Sequence, residues 1–525
     1  MIDIRQNLKK TGGIVPAITL TCTEILRKHI IKSGMTIKRI DDPRITRIMT
    51  HMNPHLDEYM AALILRAVLP VSKKLIPFEE TYLSSADNDA RAKAVWPEAI
   101  VLGLGGVHNG GARAVIKIDE HTRDGQEAKA DSVTQMVCSK YLEGRMSPAL
   151  FRLTREVSHI DSNGGAHDQN IGNYIKRIHY ADVFSGFDSD GNIINDRMDS
   201  AWKEACVYAC ITALLLGEAD GLKYTSWPYW NENVRKDVTE SLKFYREHSA
   251  YRDNPDFFQV YSQVMNFCTG FFEDARKNLK NKKMFLTSEN EDETLTILTD
   301  SKGYALQQVM MMPYIASLCK TYWGEKLANI ILFPFWDTKI QQNLTRLECL
   351  RAIKGVLSKY PGIDIEDEPT PIGQVSILYA GYDDTASEGK KYPVVLIDVS
   401  STLQARDAML GIINDTFGKT GYTLLRYQDK DNQSLVFSCG EGTPSEEWRL
   451  LVEELVRRDG SSDSRLKRGR HSPGQWHVMR NSRGKLQRYI LSGNSAHRYV
   501  NVVRRTPKRF LELIKQAHAK AQQTS

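Results

Sequence analysis

Two histidines and an aspartate lie close together in the chain, at His51, His55 and Asp57. They follow the β-branched run 45–49 and accompany the start of an amphipathic pattern over 57–69, which predicts a strand, a turn and a helix. Mn, Fe, Co and Zn accept imidazole and carboxylate ligands more readily than Ca does. The spacing therefore predicts a metal site at this turn. The alternative is that Asp57 is only a helix-start acid and both histidines lie in a surface loop.

Two further segments carry residues of the same type. An apolar run over 99–107 predicts a buried strand that ends in a glycine turn, and the short strand pattern 114–118 leads directly to Asp119 and His121. A helical pattern ends at Asp161, just before two glycines. Together with the first turn, these segments could supply the ligands of a two-metal site.

These blocks resemble the DHH phosphoesterases, and most nearly the melanocyte-proliferating-gene exonuclease branch. The first DHH motif, His-x-x-x-Asp-x-Asp, is matched in spacing by His51, His55 and Asp57, with His55 in place of the first aspartate. The third motif, Asp-His-His, is similar to the sequence 119–121, which reads Asp-Glu-His. The branch's Val-Gly-Gly-Val and Asp-Asn-Gly blocks resemble residues 104–107 and 161–164. The resemblance covers roughly residues 45 to 270.

The resemblance implies a fold and a site. The fold would be α/β, with a DHH-like parallel-sheet core, a helical layer and a smaller C-terminal α/β domain. The cofactor would be Mn²⁺, or another divalent metal such as Mg²⁺ or Co²⁺. The catalytic residues would be Asp57, Asp119 and His121, with phosphate contacts from Gly105 and Gly106, and the metal ligands would be His51, His55, Asp57, Asp119 and Asp161.

Two departures leave alternatives open. The family's second motif ends a strand with an aspartate that commonly bridges two metals about 3.5 to 4 Å apart, and this chain has Gly103 there. Glu120 also stands where the family has the first histidine of its third motif. A one-metal enzyme and a non-catalytic core are therefore retained beside the two-metal enzyme.

A basic region lies near the C-terminus. Residues 465–520 contain fifteen Lys or Arg against one acid, Glu512, so this region carries a net +14 in a chain of net +6. Cations that neutralise phosphates, beside aromatic rings that stack on bases, are typical of single-strand binding surfaces. A solvated basic face, or a patch that docks on acidic surface elsewhere in the protein, is the alternative. The predicted substrate-binding residues of this region are Trp476, Arg480, Arg488, Arg504 and Arg505.

Pattern changes along the 525 residues predict the domain organisation. A lead-in over 1–44 precedes a core with its helical layer over 45–355, in which the apolar run 330–335 predicts a strand. A Pro-bearing linker follows over 356–373. The basic α/β domain over 374–525 has predicted strands near 393–399, 434–439 and 475–479 and predicted helices near 404–417 and 445–458.

Composition limits the compartment and the partners. Hydrophobic residues at 41% and charged residues at 26% are typical of a folded protein. The eight cysteines form no Cys-x-x-Cys pair, and the longest apolar stretch is shorter than the about 20 residues that span a bilayer. Cys206 and Cys210, one helical turn apart in that stretch, are assigned to core packing. We expect a cytoplasmic protein that has no membrane partner, binds single-stranded nucleic acid and is compatible with a homodimer.

The leading hypothesis is a metal-dependent phosphodiesterase, a nuclease that hydrolyses single-stranded RNA or DNA with a metal-activated water. A second hypothesis is a catalytically degenerate nucleic-acid-binding protein, which Gly103 and Glu120 favour. A phosphoesterase for a small nucleotide is the third, and it would not need fifteen clustered cations.

Overall fold

The computed structural model divides the chain into two compact units, one extending as far as Ile340 and the other beginning at Gln341. The boundary lies upstream of the predicted linker 356–373. The structure describes residues 1–51, 54–81, 96–103, 114–119, 132–162, 178, 182–187, 193–197, 200–221, 232–266, 313–381, 391–399, 421–427, 435–440, 442–459, 461–463, 476–480, 486–492 and 507–524.

The first unit is built around a parallel sheet. Its strands have the order β3-β2-β4-β5, and every neighbouring pair is parallel. All four residues of β4 are buried, as expected for a strand that has neighbours on both edges and is covered on its faces. The strands are β2 (Arg47–His51), β3 (Phe78–Thr81), β4 (Ala99–Leu102) and β5 (Ile116–Ile118). The parallel-sheet core predicted from the sequence is thus present.

Helix α3 (Leu56–Val68) follows β2 after a short turn, and all thirteen of its residues are buried. Pro54 lies just before the helix, where its missing N–H costs no helical hydrogen bond. The acids Asp57 and Glu58 occupy the first helical turn, where the exposed N–H groups favour negative charge. This turn connects strand β2 of the sheet to helix α3 of the helical layer.

The helical layer includes residues from the predicted lead-in. Helix α2 (Ile14–Lys32) packs against α3 and against a long apolar helix, α6 (Ser200–Ala219). The remaining helices of this unit with described bounds are α1 (Arg5–Thr11), α4 (Val133–Tyr141), α5 (Pro148–Ser162) and α7 (Glu232–His248). Residues 257–266 and 313–323 are also helical. Two small antiparallel pairs join β1 (Thr36–Ile37) to β6 (Leu142–Glu143) and β7 (Asp182–Phe187) to β8 (Ile193–Arg197).

The strand predicted over 330–335 is wrong. These residues belong to α8 (Glu325–Lys359), a helix of 35 residues that contains Pro334. A short run of apolar residues has no periodicity of its own, so it does not distinguish a buried strand from a buried helix. The Thr338 hydroxyl donates a hydrogen bond of 2.8 Å to the Pro334 carbonyl, one turn back. Helical continuity on both sides of the apolar run decides the conformation.

The second unit contains an eight-stranded sheet of order β14-β15-β16-β13-β12-β11-β10-β9. Only two of its pairs, β11 with β12 and β14 with β15, are parallel. The strands are β9 (Ile365–Thr370), β10 (Gly373–Gly381), β11 (Lys391–Val399), β12 (Tyr422–Tyr427), β13 (Leu435–Cys439), β14 (Ser461–Asp463), β15 (Trp476–Arg480) and β16 (Leu486–Ser492). The helices α9 (Ser445–Asp459) and α10 (Pro507–Thr524) contribute to its core.

Much of what was predicted for this unit is observed. The strands expected near 393–399, 434–439 and 475–479 correspond to β11, β13 and β15, and the helix expected near 445–458 is α9. The helix expected near 404–417 lies outside the described residues. The predicted linker contains β9, a strand of the sheet. Within the described residues, no helix of either unit is long and apolar enough to cross a membrane.

Candidate metal centre

The carboxyl ends of the parallel strands bring the candidate residues to one edge of the sheet. His51 is the last residue of β2, Gly103 follows β4 and Asp119 follows β5. Leu102 is in register with Thr50 on one side and with Ile118 on the other, and the Gly103 N–H donates to the Ile118 carbonyl at 3.0 Å. Open α/β sheets bind their ligands at this edge.

Three potential metal ligands lie close together at the carboxyl end of β2. In the described part of the chain, His51, His55 and Glu58 each offer one ligand atom, and these atoms all lie within 4.8 Å of one another. The two imidazole rings have centroids 5.0 Å apart and an interplanar angle of 72°. Glu58 is nearly fully buried, while both histidines are partly exposed. The group therefore has a buried carboxylate and two imidazoles that solvent can reach.

Both oxygens of the Glu58 carboxylate accept hydrogen bonds. Glu58 Oε1 lies 3.1 Å from His51 Nε2, and His51 is the donor because a carboxylate has no proton to give. Glu58 Oε2 accepts from the His55 backbone N–H at 2.7 Å. Burial raises the pKa of the Glu58 carboxyl, but its interactions with His51 and His55 outweigh burial and hold that pKa well below its usual range. Glu58 is therefore a preorganised anion.

Asp57 has a different environment from the one predicted. Its Oδ2 accepts from the Val133 N–H at 2.7 Å and its Oδ1 accepts from the Thr134 N–H at 2.9 Å, at the start of α4. Consecutive helical residues point about 100° apart, so Glu58 turns toward His51 while Asp57 turns toward α4. The structure thus brings Glu58, and not Asp57, together with the two predicted histidines. Asp57 has a structural role that explains its burial.

Asp119 lies at the same edge but two strands away from His51. Adjacent strands are about 4.8 Å apart, and the order β2-β4-β5 places Gly103 between the two residues. The Asp119 carboxylate is nearly buried and lies 3.7 Å from Lys117 Nζ. The structure therefore places Asp119 beside the histidine and glutamate group without including it in that group.

Gly103 leaves space that Glu58 fills. Its φ is +59°, and a β-carbon built on it would lie 2.7 Å from Glu58 Oε1. The strand-end position where the DHH resemblance expects an aspartate therefore has no side chain and is covered by the carboxylate of another residue. Gly105, Gly106 and His121 lie outside the described residues, and Asp161 is described only as a helical residue of α5.

The residues of the group suit a transition metal. Two imidazoles and one carboxylate are N/O donors that Mn, Fe, Co and Zn accept. Two ligand atoms at about 2.1 Å from one metal lie at most about 4.2 Å apart, and the 3.1 Å between His51 Nε2 and Glu58 Oε1 is within this limit. Metal binding at His51 Nε2 would displace the proton that now joins these two atoms.

Glu58 is a candidate ligand that is absent from the set predicted from the sequence. It follows Asp57 directly in the chain. One signal could have identified it: Glu58 is three residues after His55, so both fall on one face of the first helical turn, whereas Asp57 does not share that face. Which of the two acids lies with the histidines depends on the direction in which each side chain points from the helix.

One predicted nucleic-acid contact in the second unit, Trp476, is corrected, and a second, Arg488, has a backbone partner. Trp476 has a relative exposure of 0% and belongs to the hydrophobic core with Phe437 and Trp448, so its ring has no face on which a base can stack. Arg488 directs its Nη1 toward the carbonyl oxygen of Thr443, with which it forms a short hydrogen bond. Core packing thus excludes the Trp476 indole from base stacking, whereas the contribution of the partly exposed Arg488 to nucleic-acid binding stays a prediction.

The other basic candidates are less fully described. Arg480 ends β15, but its side chain is outside the described part of the structure, as are Arg504 and Arg505 altogether. Lys520, also in the basic region, pairs with Glu454 at 3.5 Å. The contribution of Arg480, Arg504 and Arg505 to nucleic-acid binding stays a prediction.

Comparisons with known proteins do not assign this chain to a family. No protein-family model matches the chain, and no curated protein matches it. One solved structure, described as the DHH domain of a member of the s1p family of ribosomal proteins, aligns with 99% of this chain and 92% of its own at 11% identity and a TM-score of 0.28. That TM-score is too low to assign the fold, and the interpretation of the centre rests on its own geometry.

Proposed function

We propose that this protein is a metal-dependent phosphoesterase whose metal is held by His51, His55 and Glu58. The observation that carries the proposal is the convergence of these three ligand atoms within 4.8 Å, at the carboxyl edge of a parallel sheet. A bound divalent metal supplies two things there: a lowered pKa for its water and neutralisation of charge on a phosphate. The motif blocks that resemble DHH phosphoesterases support the same reaction class.

The donor set favours Mn²⁺ or Co²⁺ over Mg²⁺. Mg²⁺ prefers oxygen ligands and keeps several waters, whereas two imidazoles suit the later transition metals. The buried Glu58 carboxylate neutralises part of the metal's charge, and the partly exposed His51 and His55 leave the group open toward solvent. These residues would bind and orient the metal while leaving room for a water and a phosphate.

For the substrate we propose single-stranded nucleic acid. The net charge of +14 over residues 465–520 supports this choice, because clustered Lys and Arg bind phosphates by displacing counterions. Arg480, Arg488, Arg504 and Arg505 are the candidate contacts once Trp476 is assigned to the core. The seven described cysteines are all free, which supports a reducing compartment, and we propose the cytoplasm.

The decisive experiment measures degradation of end-labelled single-stranded RNA and DNA in the presence of Mn²⁺. We expect wild-type protein to cleave at least one of the two, and His55→Ala and Glu58→Gln to lose about a hundredfold or more of the rate. His248→Ala is the matched control, because the His248 ring contacts the Phe244 carbonyl in α7 and does not belong to the group. Cleavage that is equal in wild type and both site variants contradicts the proposal.

The same experiment tests a second candidate function, nucleic-acid binding without catalysis. Gly103 favours it, because this strand end supplies no ligand of its own. Binding of labelled strands that weakens steeply with salt, with no cleavage under Mn²⁺, Co²⁺, Mg²⁺ or Zn²⁺, would support this candidate and exclude the first.

A further inference from the structure

The space beyond the end of β4 is filled from another part of the chain. A β-carbon at Gly103 would meet Glu58 Oε1 at 2.7 Å, Glu58 Cγ at 3.4 Å and Glu58 Cδ at 3.5 Å. All three nearest atoms belong to one side chain, and the first distance is shorter than van der Waals contact allows. Any side chain at position 103 would therefore have to displace Glu58.

Glu58 cannot move away at low cost. Both of its carboxylate oxygens are hydrogen-bonded, one to His51 Nε2 and the other to the His55 N–H. Its side chain is 4% exposed, so displacement would leave a charge buried without these partners, which is unfavourable. The conformation of Glu58 and the absence of a side chain at Gly103 thus depend on each other.

We propose that Gly103 is a positioning residue of the metal centre: its missing side chain allows Glu58 of α3 to place, over the end of β4, the carboxylate that holds the metal. The inference rests on the proposed metal centre. It implies that either position can supply the carboxylate and that the two side chains exclude each other. Gly103 is then required by the centre and is not merely a vacant ligand position.

A matched pair of glycine variants separates crowding from backbone strain. Gly103 and Gly34 both have positive φ, +59° and +77°, but a β-carbon at Gly34 would meet no atom within 4 Å. Both Gly→Ala changes carry the strain of a left-handed residue, and only Gly103→Ala displaces Glu58. We expect Gly103→Ala to weaken Co²⁺ binding by about tenfold or more, with an altered d–d absorption spectrum, and Gly34→Ala to bind Co²⁺ like wild type.

An exchange of the carboxylate completes the test. Glu58→Ala should lose Co²⁺ binding, and Glu58→Ala combined with Gly103→Asp should regain at least part of it. Aspartate is among the residues that tolerate a left-handed conformation, and truncation of Glu58 makes room for it. The regained Co²⁺ spectrum is a readout that a purely structural role of Gly103 would not give. The double variant also decides the matter if Gly103→Ala fails to fold.

Two outcomes overturn the inference: Gly103→Ala binding Co²⁺ as tightly as Gly34→Ala, or the double variant binding no better than Glu58→Ala. If either occurs while wild type still binds Co²⁺ and cleaves its substrate, the proposed function stands and only the role of Gly103 is lost. If wild type binds no divalent metal, both proposals fail together.

Discussion

Asp57 and Thr134 are joined by two hydrogen bonds, both of which Thr134 donates. The Thr134 N–H donates to Asp57 Oδ1 at 2.9 Å, and the Thr134 hydroxyl donates to the Asp57 carbonyl at 2.9 Å. With the Val133 N–H on Oδ2, the Asp57 carboxylate satisfies two of the backbone N–H groups at the start of α4 that have no partner within the helix. Two helices that are distant in sequence are therefore connected through one aspartate next to the candidate metal centre.

Replacement of Asp57 by alanine should destabilise the fold. The change removes a buried acceptor of two backbone N–H groups at a helix N-terminus, which should lower the free energy of unfolding by about 2 to 4 kcal/mol. Urea denaturation measures this loss. Asp253→Ala is the control, because that side chain is 91% exposed. An Asp57→Ala protein that unfolds like wild type but no longer binds metal would instead show that Asp57 is a ligand.

The ion pair between Arg66 and Glu204 gives a second prediction for stability. Arg66 Nε donates to Glu204 Oε1 at 2.7 Å, Arg66 Nη1 donates to the Lys74 carbonyl at 2.6 Å, and both charged side chains are buried. Glu204→Ala would leave the guanidinium charge buried without its carboxylate, so we expect a loss of about 3 to 5 kcal/mol in thermal or urea unfolding.

The exposed pair of Arg449 and Glu446 is the matched control for this prediction. Glu446→Ala should leave the free energy of unfolding almost unchanged, because solvent screens an exposed pair. Equal effects of Glu204→Ala and Glu446→Ala would mean that the Arg66 pair is not buried as described.

Asp237 should make the protein less stable as pH rises. Burial raises the pKa of the half-buried Asp237 carboxyl above its ordinary 3.8, although a hydrogen bond from the Ser317 hydroxyl partly opposes this. The folded state therefore binds the proton more tightly than the unfolded state, and stability falls as pH rises through the interval between the two pKa values.

Asp237→Asn removes this titration and keeps an oxygen acceptor for Ser317. We expect a higher Tm than wild type at pH 7 and a smaller difference near pH 3.5, both measured by calorimetry. A variant whose Tm advantage is the same at both pH values would contradict the assignment of the effect to Asp237.

The described cysteines should be unreactive in the folded protein. Burial raises the pKa of Cys138 to about 12 and that of Cys439 to about 11, and the thiolate is the reactive form. Cys268 lies outside the described residues, so it is first replaced by serine. In this Cys268→Ser background, we expect no rapid reaction with Ellman's reagent before denaturation and seven reactive thiols after it. The seven are Cys22, Cys138, Cys206, Cys210, Cys319, Cys349 and Cys439. A rapidly labelled thiol in the folded protein would identify a site that opens.

Metal should stabilise the fold through the centre. A ligand that binds only the folded state, at about a hundredfold excess over its Kd, adds about 3 kcal/mol to the free energy of unfolding. We expect Mn²⁺ or Co²⁺ to raise the Tm of wild type and of His248→Ala, and to leave His55→Ala and Glu58→Gln almost unchanged. An equal Tm shift in all four proteins would place the metal elsewhere.

The sequence predicted the positions of the centre better than its chemistry. The β-branched run before His51 and the amphipathic pattern after His55 located the strand, the turn and the helix correctly. The spacing of His55 and Glu58 favours Glu58 over Asp57 only once the first residue of the helix is known, since the choice depends on which of two consecutive helical residues faces the sheet edge. Only the path of α3 relative to β2 and α4 decides it.

Burial explains the other differences between the sequence predictions and the structure. Trp476 lies among basic residues in the sequence, but alternation along β15 directs it into the core. The apolar run 330–335 has the composition of a strand, yet it continues a helix whose flanking residues set the periodicity. In the first case tertiary packing decides the exposure of the side chain, and in the second it decides the backbone conformation. Local composition predicts neither.

The three side chains of the centre all come from an eight-residue stretch, His51–Glu58. By contrast, the sheet edge beside it requires residues 47 and 99 to pair. Closing a short loop costs less entropy than closing a long one, and short loops close earlier. If the candidate centre binds Mn²⁺, its three ligands therefore come together before the sheet has closed, and the ion would act on the folding pathway as well as on the folded state.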